Sequence, residues 1–168
     1  MTHRNGNGSH DEHAIGSAPT GERPPGFSTL HPKLRRLLEY WNAKRGAGDM
    51  PARRDIPVSE LKSWIGQLAI IEPLGANDFH FRLCGTGLIR RFGRETTGLY
   101  LQELAPDIRA TLAEPLQRAL SKRAPFIHSP RVVLSERPVV YSELLLPLSD
   151  RGARARMLLL GAYAVREE

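Results

Sequence analysis

The stretch that decides the fold is 81–104, with the sequence FRLCGTGLIRRFGRETTGLYLQEL. It begins inside a segment, 78–84, in which Phe and Leu alternate with polar residues, and this alternation predicts a half-buried strand. Beyond the strand, Thr86 can cap a short helix that Gly93 ends. The stretch therefore predicts a change from strand to short helix within a few residues.

The segments on either side of this stretch predict an antiparallel sheet. A long amphipathic helix is predicted over 106–122, and Pro115 within it predicts a kink or a restart. The strand patterns stand in adjacent groups and do not alternate with helices, which favours an α+β fold over a doubly wound one. The predicted strands are 67–72, 78–84, 125–134, 138–146 and 155–165.

The N-terminal part of the chain divides into a tail and a helical segment. Residues 1–29 are rich in Gly, Ser, Asn, Pro and His, and too poor in apolar side chains to offset the entropy of ordering, so we expect disorder. From His31 onward, apolar residues recur with helical spacing, and a short second helix is predicted over 57–64. We therefore predict a disordered tail at 1–29, a helical extension at 30–66 and a folded core at 67–166.

Composition narrows the class of protein. The chain has 168 residues, 40% of them hydrophobic and 25% charged, which suits one globular domain with a tail. No apolar run is long enough to span a bilayer, and the N-terminus lacks the apolar region of a secretory signal, so we expect a cytoplasmic protein. Cys84 is the single cysteine, which excludes an intrachain disulfide and a multi-cysteine zinc site. We predict no metal site.

The charge pattern leaves a second function open. The chain carries 24 Lys and Arg against 18 Asp and Glu, a net charge of +6, and a basic domain can bind nucleic acid. The arginines are spread along the chain in pairs, such as Arg53 with Arg54 and Arg90 with Arg91. Scattered pairs favour solvated faces over a polyanion-binding stripe. A basic nucleic-acid-binding regulatory protein is therefore the alternative and not the first hypothesis.

The order of the elements and two groups of motifs resemble the PAS domain family. Phe92-Gly93 is similar to the aromatic-Gly pair that ends the short helix of PAS domains, and Gly98 is similar to the glycine that opens the next turn. Upstream, a helix containing Tyr40-Trp41 and a linker at 50–55, MPARRD, resemble the entry to short bacterial single-PAS-domain proteins. The resemblance covers residues 31–166.

The resemblance implies a PAS-like five-stranded antiparallel sheet with helices on one face, preceded by the N-terminal amphipathic helix. It implies a sensory or protein-interaction module that binds a small ligand or a partner and signals in trans, through a regulatory protein or a homodimer, without an output domain or enzymatic activity of its own. The chain departs from the family at Arg123-Ala-Pro125, because PAS domains commonly carry a glycine before the third strand.

A PAS ligand would lie in an apolar pocket between the sheet and the helices. Flavin-binding photoreceptor PAS domains carry an Asn-Cys-Arg-Phe-type signature on the helical stretch, whereas Cys84 ends a strand. Haem-binding PAS sensors usually use a histidine of the long helix, and 106–122 contains none, so the cofactor stays unknown. The same side chains could instead form a packed core. The candidate pocket residues are Phe79, Phe81, Cys84, Leu88, Ile89, Phe92, Leu112, Leu116, His128 and Tyr141.

The N-terminal helix has two interpretations. Its apolar residues Leu34, Leu38 and Trp41 could contact a partner or a second copy of the chain, or they could pack within the chain.

The sequence contains none of the common catalytic motifs that we considered. G-x-S-x-G, Walker A and H-E-x-x-H are absent, and Gly85-Thr86-Gly87 is only a fragment of a glycine-rich loop. We therefore predict no catalytic residues, and a small catalytic domain with an unmarked site is the third hypothesis.

Overall fold

The computed structural model describes residues 23–75, 77–150 and 154–165. Residues 1–22 of the predicted disordered tail lie outside these ranges. Residues 23–29, which we expected to belong to the tail, include a short 3-10 helix, Phe27–Thr29. They differ from the prediction because the half-buried Phe27 ring covers apolar surface of the folded core.

The described residues form three α-helices and six β-strands. The helices are α1 (Pro32–Arg45), α2 (Ile89–Phe92) and α3 (Pro106–Lys122). The strands are β1 (Leu68–Leu74), β2 (Asp78–Cys84), β3 (Phe126–His128), β4 (Arg131–Leu134), β5 (Arg137–Ser149) and β6 (Ala155–Ala164).

All pairings in the sheet are antiparallel, and the α+β prediction is confirmed. The strand order is β2-β1-β6-β5-β3, with β4 also paired to β5. Six strands replace the five that we expected, because the segment predicted at 125–134 is interrupted at Ser129-Pro130. Proline cannot donate to a strand ladder, so the segment pairs with β5 in two short pieces.

The sheet separates two hydrophobic cores, and β5 contributes to both. Tyr141 and Leu145 point into the core under α2 and α3, whereas Leu144 and Leu146 point into the core under α1. Strand β6 divides its side chains in the same way. Because successive residues of a strand face opposite sides of the sheet, one apolar strand can serve helices on both faces.

Helix α1 covers the face of the sheet opposite α2 and α3, a position that the sequence left open. Its apolar stripe is fully buried, and the Trp41 indole donates a hydrogen bond to the Pro147 carbonyl oxygen at 3.0 Å. Leu34, Leu38 and Trp41 are therefore packed within the chain. Their candidacy as partner contacts is corrected, because each side chain is at most 1% exposed and lies against the sheet.

Two helix predictions differ from the structure. Helix α3 does not restart at Pro115, which lies buried inside an unbroken helix. The lost N–H removes one helical hydrogen bond, but packing of the helix on the sheet retains the conformation. The predicted helix at 57–64 is instead a 3-10 helix, Val58–Leu61, followed by a second one, Ile65–Gln67. None of the helices in the described ranges has the length and apolar character needed to cross a membrane.

Strand β2 carries an irregularity that reverses two side chains. Ile70 of β1 pairs with Leu83, but the next residue, Ile71, pairs with Phe81, so β2 has one extra residue in the ladder. An extra residue shifts the inward and outward alternation by one. Phe81 is buried as predicted, whereas Leu83 is exposed and Cys84 turns into the core.

The glycine pair after β2 marks a close approach of two backbone segments. A Cβ atom on Gly85 would lie 2.4 Å from the carbonyl oxygens of both Ile65 and Gly66. Gly87 also approaches Gly66, and its Cβ would lie 2.7 Å from that carbonyl oxygen. The motif Gly85-Thr86-Gly87 thus serves packing of the segment before α2 against the segment before β1.

Candidate functional site

Most of the predicted pocket residues lie in one buried cluster between the sheet and helices α2 and α3. The cluster contains aromatic rings from β2 and α2, leucines from α3 and a tyrosine from β5. Its members from the prediction are Phe79, Phe81, Cys84, Leu88, Phe92, Leu112, Leu116 and Tyr141. This cluster forms the apolar part of the candidate site.

Two predicted residues lie apart from this cluster. Ile89 is 38% exposed, and its candidacy is corrected because Leu88 and Phe92 take the inward positions of the short helix α2. His128 lies on β3 at the edge of the core, where its side chain is 17% exposed. It belongs to a polar group that the apolar pattern did not reveal.

The centre of that polar group is an ion pair between Arg91 and Glu143. Arg91 Nε donates to Glu143 Oε1, and both side chains are fully buried. Arg91 lies on α2, whereas Glu143 lies on β5 between the inward-facing Tyr141 and Leu145. The pair therefore joins the short helix to the middle of the sheet. Buried charges of this kind are stable only when they are paired and hydrogen-bonded.

Two further side chains complete the polar cluster. Glu143 and His128 are cross-strand partners of β5 and β3, and His128 Nε2 lies 2.8 Å from Glu143 Oε2. From α3, the Thr111 hydroxyl accepts a hydrogen bond from Arg91 Nη2 at 2.9 Å and donates one to the Ile108 carbonyl oxygen. We call Arg91, Thr111, His128 and Glu143 the polar cluster. It connects α2, α3, β3 and β5.

The guanidinium of Arg91 keeps one hydrogen-bonding nitrogen free. Within the described part of the chain, Arg91 Nη1 is buried and has no hydrogen-bond partner. The guanidinium carbon lies 5.5 Å from the centre of the Tyr141 ring and 5.4 Å from that of the Phe92 ring. A buried donor without an acceptor is costly, by about 1–3 kcal/mol, and such atoms in native structures call for an acceptor.

The environment of Glu143 keeps its carboxyl group ionised. Burial alone would raise its pKa, but the hydrogen bond from His128 and the charge of Arg91 outweigh burial, and the pKa lies below its ordinary value. Burial also raises the pKa of the Tyr141 hydroxyl, against the charges of Arg90 and Arg91. Glu143 is therefore a stable carboxylate, and the neighbouring Tyr141 is a neutral phenol.

The lowered pKa of Glu143 predicts a loss of stability in acid. The charges and titratable groups that face it are Arg91 from α2, His128 from β3 and Tyr141 from β5. A carboxyl group whose pKa is lower when folded stabilises the fold above its unfolded pKa of about 4.5 and loses this contribution as pH falls. We expect urea unfolding to show a free energy that falls below that pH, and less steeply in Arg91→Met with Glu143→Leu. Equal slopes would contradict the assignment.

Cys84 is not placed for thiol chemistry. Burial raises the pKa of its thiol, against a hydrogen bond from Thr96, and a raised pKa disfavours the reactive thiolate. Its backbone N–H donates to the Thr97 hydroxyl at 3.0 Å, which fixes the end of β2. In the described ranges, no group of three or more His, Cys, Asp or Glu side chains could hold a metal ion.

Sequence reasoning missed Arg91, Thr111 and Glu143. One signal was present, because Glu143 alternates with Tyr141 and Leu145 on the inward face of the segment 141–146, YSELLL, and an inward carboxylate requires a cationic partner. No such signal marks Arg91, because two adjacent arginines predict a solvated face. In the structure only Arg90 of this pair is exposed. Burial of Arg91 also removes one cation from the surface on which the nucleic-acid hypothesis depended.

Comparison with known proteins identifies the family. A family model described as the PAS domain matches residues 29–164. This chain belongs to the PAS domain family. The match includes α1, so the family model spans both the predicted helical extension and the predicted core. PAS domains are in general sensory modules rather than enzymes.

The fold of this PAS domain is similar to that of a solved PAS domain. The PAS domain of Bordetella pertussis BvgS has 18% identity and a TM-score of 0.50, with 66% of this chain and 87% of that chain covered. A Rhodobacter sphaeroides LOV protein has 12% identity and a TM-score of 0.45, with 65% and 67% covered. No curated protein matches the sequence. At these identities the likeness concerns the fold alone.

Proposed function

We propose that this PAS domain is a sensor that binds a small molecule between the sheet and helices α2 and α3 and signals to a partner in trans. The observation that carries the proposal is the buried Arg91 Nη1, which has no acceptor in the described part of the chain. An acceptor on a ligand would satisfy this donor, and the apolar cluster beside it would have to open to hold the rest of the molecule, because its side chains are packed and at most 6% exposed.

The surroundings of Arg91 define the chemistry of the ligand. Glu143 already neutralises the guanidinium, so a full second negative charge would meet the carboxylate at short range. A neutral acceptor, such as a carbonyl or ether oxygen, avoids that repulsion. The Phe92 and Tyr141 rings flank the guanidinium and favour an apolar or aromatic body. We therefore expect an apolar molecule with one carbonyl-type acceptor.

Strand β5 offers a direct route from this site to α1. Ser142, the neighbour of Glu143, faces the other side of the sheet, and its Oγ accepts a hydrogen bond from the backbone N–H of His31 at 2.9 Å. His31 is the N-cap residue of α1. A ligand that displaces Glu143 would also move Ser142, and with it the hydrogen bond that holds the N-terminus of α1. A ligand can shift this equilibrium only if it binds the two positions of Glu143 with different affinities. The partner, a regulatory protein or a second copy, would detect α1.

The test combines native mass spectrometry with a panel of aryl ketones and medium-chain alkyl ketones. We expect a bound mass and a raised unfolding temperature for at least one ketone. The variant Arg91→Lys keeps the positive charge but removes the Nη1 donor, so we expect it to lose the ligand. Arg90→Lys is the matched control, because Arg90 is exposed and adjacent.

Circular dichroism must show that Arg91→Lys remains folded, and a folded variant that binds as the parent does would contradict the role of Nη1. Hydrogen exchange of the α1 backbone amides with and without ligand tests the signalling route. Unchanged exchange in α1 on saturation with ligand would rule out the route through Ser142. A panel without any bound mass would count against the ligand chemistry proposed.

A further inference from the structure

A separate cavity of about 860 Å³ lies between the loop 23–27, the C-terminal half of α1 and the turn that joins α3 to β3. Its lining includes no member of the polar cluster. Its volume falls within the range of natural small-molecule pockets, about 300–1,000 Å³. The PAS sensor site proposed above does not use it.

The apolar walls of this cavity are rigid. They contain the rings of Phe27 and Trp41 and three prolines, Pro24, Pro25 and Pro125. Trp41 is fixed by its hydrogen bond to the Pro147 carbonyl oxygen, and the ring of each proline fixes that residue's own φ, which restricts the backbone at the opening. A preformed cavity loses little entropy when it takes a ligand.

The rim of the cavity is basic. Its charged residues are Arg23, Arg45, Lys122 and Arg123 against Glu39 and Asp49. The C-termini of α1 and α3 also end here and contribute about half a negative charge each, which still leaves an excess of positive charge. The Arg23 guanidinium lies 4.9 Å from the Phe27 ring centre and that of Arg45 lies 5.6 Å from the Trp41 ring.

Arg123 is the residue at the cavity that local structure does not explain. It follows α3 with a φ of 52°, a left-handed conformation for which glycine is the usual residue. This is also the turn at which the chain departs from the glycine common in PAS domains. The side chain reaches Asp49 at 2.8 Å, and its buried Nε has no hydrogen-bond partner in the described ranges. A residue other than glycine is strained in this conformation, and the side chain that it brings to the cavity is a guanidinium.

We propose that this cavity binds a phosphorylated metabolite with a planar ring, of the nucleotide class, and that Arg123 donates to its phosphate. The negative charge of a phosphate is opposite to the excess positive charge of the rim, and its oxygens accept charge-assisted hydrogen bonds from guanidinium groups. Guanidinium planes that cover the Phe27 and Trp41 rings also stack on a planar ring.

The probes are ADP, pyrophosphate and adenosine, titrated into the full chain by calorimetry at physiological salt. We expect ADP to bind at least about tenfold more tightly than adenosine, which lacks the phosphates. Arg123→Gly should weaken ADP binding by about tenfold or more while leaving the unfolding temperature unchanged or raised, because glycine suits a φ of 52°. Asp49→Asn removes a competing carboxylate and should tighten binding.

The control is Arg82→Ala, which removes one exposed cation from β2, away from the cavity. It should bind ADP as the parent does. Failure of ADP to bind, or equal affinity for ADP in the parent and in Arg123→Gly, would overturn the proposal. Equal affinity for pyrophosphate and ADP would overturn the assignment of a planar ring. None of these outcomes depends on the ligand of the sensor site.

Discussion

Replacing Glu143 by alanine should lower the free energy of unfolding by about 3–5 kcal/mol, because the change leaves the Arg91 guanidinium buried without its counter-charge. Both side chains are fully buried, so water cannot take the place of the lost carboxylate. Urea unfolding followed by circular dichroism measures the loss. The hydroxyl of Thr111 and the rings of Tyr141 and Phe92 do not supply a negative charge.

A double variant separates two free-energy terms: the net contribution of the ion pair to stability, and the penalty of leaving one buried charge without its partner. Arg91→Met combined with Glu143→Leu should be far more stable than Glu143→Ala alone, since apolar side chains can replace a buried ion pair. The exposed pair between Arg82 and Glu72 is the matched control, and Glu72→Ala should cost no more than about 1 kcal/mol. If the losses of unfolding free energy in the single variants Arg91→Met and Glu143→Leu added up to the loss in the double variant, the two side chains would not be coupled.

Replacing Trp41 by alanine should lower the free energy of unfolding by about 3–5 kcal/mol, as for other fully buried tryptophans. The indole is 1% exposed, fills the core under α1 and donates to the Pro147 carbonyl oxygen, which would lose this donor. Equilibrium unfolding in urea, monitored by circular dichroism, measures the change. Trp64→Ala is the control, because Trp64 is only half-buried.

The shape of that unfolding curve tests the predicted domain boundaries. If α1 and the sheet form one cooperative unit, Trp41→Ala shifts a single transition to lower urea. Two separate transitions would show that residues 30–66, the predicted helical extension, unfold independently of the sheet. The core that α1 shares with β5 and β6 favours the single transition.

The sequence predicted those features that depend on local periodicity. The alternation in β2, the stripe on α1 and the long helix α3 each follow from apolar residues at fixed spacing, and so does the order of elements that resembles PAS domains. Periodicity assumes an unbroken ladder, and it therefore placed Leu83 on the buried face with Phe79 and Phe81, whereas the irregularity in β2 leaves Leu83 exposed. It also could not tell on which face of the sheet α1 would lie.

The spacing of apolar residues could not predict the polar cluster, for a different reason. Arg91 and Glu143 are 52 residues apart, and each has a charge that by itself predicts exposure. Only the fold brings them together. The cavity beside Arg123 likewise depends on three segments that are distant in sequence. The one local sign there was an arginine at a position where PAS domains commonly carry glycine.

The division of β5 between two cores restricts how its length can change. One inserted or deleted residue near Ser142 would move every following side chain of β5 to the opposite face of the sheet. Glu143 or the leucines after it would then face the wrong helix. Substitutions alter one core at a time, whereas an insertion in this strand damages both. Tags, labels and circularly permuted ends therefore belong in the turns at either end of β5 and not within it.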